Sequence, residues 1–119
     1  MIENNITHIF EPTPLQCGQA VLAMVTGADV EKIVELCGTE NETDLKTMKR
    51  VLELFGISVS PTRKEISDKK DLPNVALLSL ETPKCWHWSL YAYGKFYDPE
   101  YGLIYDFPPS NRRYFWEIK

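Results

Sequence analysis

The sequence predicts an α+β domain, with N-terminal helices packed on a C-terminal antiparallel β-sheet. Three observations carry that expectation. Apolar residues recur at three- and four-residue steps as far as Gly56, the period changes to two beyond it, and Gly and Pro mark the joints between segments. With 119 residues, 44% of them hydrophobic and 25% charged, the chain can bury one core, and residues 1–119 read as a single domain without repeats or low-complexity tracts. The net charge is −4 and the basic residues are scattered among acids, so the pattern excludes an electrostatic footprint for nucleic acid or an anionic membrane. Met1 to Phe10 contain Glu3 and no Lys or Arg, unlike a secretory signal. No apolar run reaches the roughly 18 to 20 residues that span a bilayer. The expectation is a cytoplasmic protein without membrane insertion.

Taken in order, Pro12 and Pro14 keep the segment from Glu11 to Gln16 extended, so the first helix begins near Cys17. Its body, Ala20 to Val25, is apolar on every side, which marks an enclosed helix, and Gly27 ends it. A second helix has Asp29 as its N-cap, Val30, Ile33, Val34 and Cys37 on its apolar face, and Gly38 as its stop. A third starts at Thr43, sets Leu45, Met48, Val51, Leu52 and Phe55 on one stripe, and closes at Gly56. Ile57 and Val59 alternate with serines up to Pro61 and predict a short strand, followed by a solvated connection from Arg63 to Asp71. Asn74 to Leu80 suits a central strand covered on both faces, although a short buried helix fits the same run. From Trp86 to Tyr93 the alternation is clear: Trp86, Trp88, Leu90 and Ala92 face inward, while His87, Ser89, Tyr91 and Tyr93 face a more polar surface. Gly94 supplies a turn, Phe96 to Asp98 return, and Tyr114 to Ile118 form a last strand.

The chemistry concentrates at Cys17. A thiol in the first turn of a buried helix meets unpaired backbone N–H groups and the positive end of the macrodipole, an environment that suits a nucleophile. His87 and then Asp98 follow in chain order, so a thiol, a base and an orienting carboxylate are all present, which predicts cysteine-dependent acyl transfer. If Tyr93 and Gly94 form a two-residue turn, Ser89 faces Asp98 and His87 faces Glu100, leaving Asp98 diagonal to His87 on one face. If the turn is Gly94-Lys95, Asp98 slides away, and Glu100 or Asp106 would have to serve. His8, in a polar segment, is expected to be exposed. The other two cysteines read differently: Cys37 as a small buried hydrophobe, and Cys85 as a loop residue that is free, buried or redox-active. Cys85 and His87 have no second ligand pair at zinc spacing, so neither a metal nor another cofactor is expected.

Pro12-Thr13-Pro14-Leu15-Gln16-Cys17-Gly18, followed by Ala20 to Met24, resembles the nucleophile segment of papain-like cysteine peptidases, and within them the small bacterial branch that removes double-glycine leader peptides. His87 at the head of a strand, and Tyr97-Asp98-Pro99 closing the next with Gly102 after it, look like that branch's histidine strand and its aspartate-proline pair. The resemblance runs from Phe10 to Gly102. It implies a papain-like fold, a Cys17–His87–Asp98 triad, a thioester intermediate and a peptide or protein substrate. It also implies an oxyanion-hole glutamine six residues before the nucleophile, where this chain has Glu11. An ionised carboxylate there would raise the barrier, so either Glu11 is protonated, or it points away, or Gln16 or Gln19 supplies the amide. Gly18, Trp86 and Trp88 are the candidate substrate contacts, with aromatic core packing the competing use of the tryptophans. The expected function is hydrolysis of a peptide or isopeptide bond. The alternatives are deamidation or acyl transfer at a protein glutamine, and peptide binding without catalysis, the last favoured by Glu11.

Overall fold

The structure is a computed structural model whose described residues are 2–119; Met1, at the head of the segment read for a secretory signal, lies outside them. Three helices come first: α1 (Cys17–Thr26), α2 (Val30–Cys37) and α3 (Leu45–Leu54). Six strands follow: β1 (Lys64–Glu65), β2 (Val75–Glu81), β3 (Trp86–Ala92), β4 (Lys95–Asp98), β5 (Gly102–Ile104) and β6 (Arg113–Glu117). They form one sheet in the order β1-β6-β2-β3-β4-β5, and every neighbouring pair is antiparallel.

The helices cover one face of this sheet. Val21, Leu22, Ile33, Met48, Val51 and Leu52 pack with Leu77, Leu90, Ala92 and Trp116 in the main core. The opposite face holds a smaller cluster of Ile66, Ala76, Leu78, Leu80, Phe96 and Phe115, closed over by Leu72, Ile104 and Phe107. Successive residues of β2 therefore enter opposite cores, so this nearly unbroken apolar run is a central strand and not a short helix.

Elsewhere the chain departs from the sequence reading for local reasons. Asp29 occupies the N-cap of α2, but its side chain makes no capping bond. The third helix begins later than Thr43 because the Asp44 carboxylate accepts the Thr47 N–H at 2.9 Å, while the Thr43 hydroxyl turns toward Met48 Sδ at 3.3 Å. Phe55 is the C-cap and is exposed, so the apolar stripe ends before it. Ile57 to Pro61 make only an isolated bridge, Val59 to Ile118, instead of a strand. The charged connection, conversely, contributes β1, paired with β6, and a single 3-10 turn at Lys69–Asp71. Strand β5 left no alternation in the sequence, being three residues long.

The register around β3 decides the site. Ala92 pairs with Lys95, Tyr91 with Phe96 and Leu90 with Tyr97, the register of the two-residue Tyr93-Gly94 turn, whose φ angles are 49° and 89°. Positive φ at both central positions matches the right-handed twist of the flanking strands. Two steps further this ladder would place Trp88 opposite Pro99, whose nitrogen carries no hydrogen, and β4 stops at Asp98. The Pro99 carbonyl instead accepts the Glu11 N–H at 2.8 Å, and Asp98 O accepts His8 Nε2 at 2.7 Å. Residues 8–11 thus strap onto the end of β4 and deliver the chain to the start of α1. His8, expected to be exposed, is half-buried by these contacts.

Candidate active site

Cys17 is the first residue of α1 and is 7% exposed. The chain reverses into the helix through a turn in which the Gln16 N–H bonds Thr13 O at 3.0 Å, and Gln16 at the N-cap makes no side-chain capping bond. No side chain therefore caps the leading N–H groups at this helix start. Gly18 lets the helix start press into its surroundings: a Cβ there would lie 2.1 Å from Thr43 Oγ1 and 3.1 Å from both Met48 Sδ and Trp88 Cδ1. The packing requires a residue without a side chain, a structural demand beside the substrate contact expected from the sequence. Trp88, freed from the β4 ladder, directs its N–H at Cys17 Sγ at 3.5 Å.

His87 and Asp98 meet on the neighbouring strands. His87 Nε2 lies 3.0 Å from Asp98 Oδ1 and 3.2 Å from Oδ2, with the two residues 4% and 0% exposed. His87 does not face a polar surface as the alternation suggested; it is buried, with the Asp98 carboxylate as its polar partner. Asp98 also accepts the Ser89 hydroxyl at 2.8 Å and the backbone N–H groups of Glu100 and Tyr101, each at 2.9 Å. Burial opposes charge on the imidazole, but hydrogen bonds to Asp98 and to Cys17, with the charges of both, push its pKa from 6.5 up to about 10. Burial likewise opposes charge on Asp98, yet the bonds from His87, Tyr101 and Ser89 hold it below the usual carboxylate range. With Nε2 engaged by Asp98, Nδ1 is the ring nitrogen left for the thiol.

The remaining candidates are placed unevenly. Glu11 approaches His87, Asp98 and Glu100, and its Oε1 is shut off from solvent without a hydrogen-bond partner among the described residues; burial first, and then the two acids, raise its pKa. Gln16 is buried beside Cys17. Gln19 is occupied elsewhere, its Nε2 donating to Thr39 O at 3.2 Å and Asn41 O at 2.7 Å. Glu100 pairs with Lys84 at 2.8 Å and Asp106 bonds the adjacent Phe107 N–H, so neither reserve carboxylate replaces Asp98. Trp88 packs against Trp116 and donates Nε1–H to Thr43 O at 2.9 Å. Trp86, expected to face inward, is 48% exposed, since it lies at the open end of β3 and stacks on Tyr114 with centroids 6.0 Å apart. Cys37 is buried in the core and Cys85 is exposed; all three cysteines are free.

Ser89 and His8 bond Asp98 although the sequence reading gave neither of them a role in the site. The hairpin register already set Ser89 opposite Asp98, whereas the partner of His8 is a backbone carbonyl 90 residues away that no side-chain pattern announces. A cavity of about 680 Å³ lies under residues 2–9 at the far end of α1, away from Cys17 and His87. Among the described residues no group of three His, Cys, Asp or Glu could hold a metal ion, and no helix is long and apolar enough to cross a membrane.

No protein-family model matches the chain, and no curated protein does. Among solved structures it is similar to a double-glycine motif protease from an AMS/PCAT transporter, determined in complex with the leader peptide. The TM-score is 0.66 at 15% sequence identity, covering 93% of this chain and 89% of that one. At that score and coverage the chain, with three helices followed by an antiparallel sheet, has the papain-like α+β fold of that protease.

Proposed function

We propose that this chain is a cysteine hydrolase acting on a peptide or isopeptide bond, with Cys17 as nucleophile, His87 as acid–base and Asp98 as the group that orients His87. The observation that carries this reading is the buried His87–Asp98 pair facing the thiol at the start of α1. The Cys17 thiol gives its proton to His87, and Sγ attacks the carbonyl carbon, forming a C–S bond as the carbonyl electron pair moves onto oxygen. That oxyanion collapses, the C–N bond breaks, and the His87 proton passes to the departing amine. Water then gives a proton to His87 and attacks the thioester. The C–S bond breaks, the acid leaves, and the thiol is regenerated. Asp98 keeps the imidazole in one tautomer and stabilises its charged form. The Cys17 backbone N–H, at the helix start, suits an oxyanion donor.

The similar protease was determined with a leader peptide, and this supports a peptide as the ligand here. Gly18, Trp86 and Trp88 border the thiol and the head of β3, where an extended peptide would lie. Glu11 favours a second reading, binding without cleavage, because an ionised carboxylate at that place would oppose an oxyanion.

Iodoacetamide alkylation of Cys17 tests the reading. It is expected to be rapid in the native chain and slowed by about 10²-fold in His87→Ala. Equal rates in the two proteins would refute it. Proteomic comparison of lysate treated with the native chain and with Cys17→Ser then separates new peptide termini from a mass gain of about one dalton, the mark of deamidation.

A further inference from the structure

Resting on the hydrolase reading, we infer that Glu11 is the second oxyanion donor in its neutral, protonated form, so that catalysis by this chain is switched by the titration of one carboxyl group. Three observations converge on it. Glu11 stands six residues before Cys17, on a strap fixed by its own N–H to Pro99 O at 2.8 Å and by His8 to Asp98 O at 2.7 Å. Its Oε1 is buried with no partner among the described residues, leaving an oxygen that can bear a hydrogen with nothing in the resting chain to receive it. An unsatisfied buried polar atom costs about 1–3 kcal/mol and calls for a ligand or a role.

The groups that face Glu11 come from each neighbouring element. They are His87 on β3, Asp98 at the end of β4, Glu100 in the turn toward β5 and Lys84 between β2 and β3. Burial disfavours the carboxylate most; the charges of Glu100 and Asp98 add to that, and those of His87 and Lys84 oppose it, with a raised pKa as the net result. Lys84 is itself paired with Glu100, which weakens its pull on Glu11. A protonated carboxyl offers one O–H to the oxyanion and keeps that proton throughout the cycle. The ionised form offers only lone pairs and repels the developing charge. The donating fraction therefore falls as pH rises through the Glu11 pKa.

The test measures pH profiles of kcat/KM for a fluorogenic peptide amide ending in Gly-Gly, with native chain, Glu11→Gln and Glu11→Ala. Native activity is expected to decline on the alkaline side before the limit that the raised pKa of His87, about 10, would set. Glu11→Gln, which donates at any pH, is expected to hold its rate to that higher limit and to exceed the native chain on the alkaline side of the native profile by up to about 10²-fold, the usual effect of one oxyanion donor. Glu11→Ala should be slower than Glu11→Gln at every pH. Coincident alkaline limbs for native and Gln proteins would overturn the inference. So would failure of both to cleave while Cys17 still alkylates in a His87-dependent way. Loss of that His87 dependence would instead sink the hydrolase reading itself.

Discussion

Replacing Asp98 by Asn removes one charge and turns a donor toward two others. The substituted amide could still accept the Glu100 and Tyr101 N–H groups through its oxygen, but its N–H₂ would face either His87 Nε2 or the Ser89 hydroxyl, where the carboxylate now accepts from both. Holding the imidazolium to about 10 in place of 6.5 favours its charged form by up to about 5 kcal/mol, shared between Asp98 and Cys17. Breaking one side of a buried ion pair costs about 3–5 kcal/mol. At roughly 4 °C per kcal/mol for a domain of 119 residues, Asp98→Asn should lower Tm by about 10–20 °C at pH 6. The pH dependence is the sharper test. A raised His87 pKa contributes stability that is complete below 6.5 and lost as pH climbs through about 10. The Tm difference between the native and Asp98→Asn proteins, followed by circular dichroism, should therefore shrink by more than half between pH 6 and pH 10. Groups remote from the pair titrate in both proteins and cancel in the difference. An undiminished gap at pH 10 would refute the argument that Asp98 holds an imidazolium.

Gly18→Ala places a methyl 2.1 Å from Thr43 Oγ1, with Met48 and Trp88 leaving no room on the other sides, so unfolding in urea should show a loss of about 1–3 kcal/mol. The same shift should slow Cys17 alkylation; an unchanged rate would mean that α1 absorbs the clash without moving the thiol. His8→Ala removes one of two ties between the strap and β4 and should cost about 1 kcal/mol. Amide exchange at Glu11, whose N–H bonds Pro99 O, should quicken in that variant, and unaltered protection would show that Pro99 alone secures the strap.

Much of this protein was legible in its residues because local rules and tertiary demands agree. The enclosed α1, the stops at Gly27 and Gly38 and the stripe of α3 follow from period and capping, and each is satisfied within its own element. The two-residue turn at Tyr93-Gly94 then fixed which residues of β3 and β4 share a face, placing Asp98 within reach of His87 before any packing is considered. Tertiary structure decided what depends on partners distant in the chain. Strand β1 exists only because β6 is there to pair with it, and β5 only beside β4. The burial of His87, the anchoring of His8 and the solvent-shut oxygen of Glu11 arise where the strap crosses a ladder ended by Pro99. A sequence pattern reports which face a side chain takes, but desolvation and charge depend on everything that packs over that face, and here the strap and the end of β4 lie about 90 residues apart in the chain.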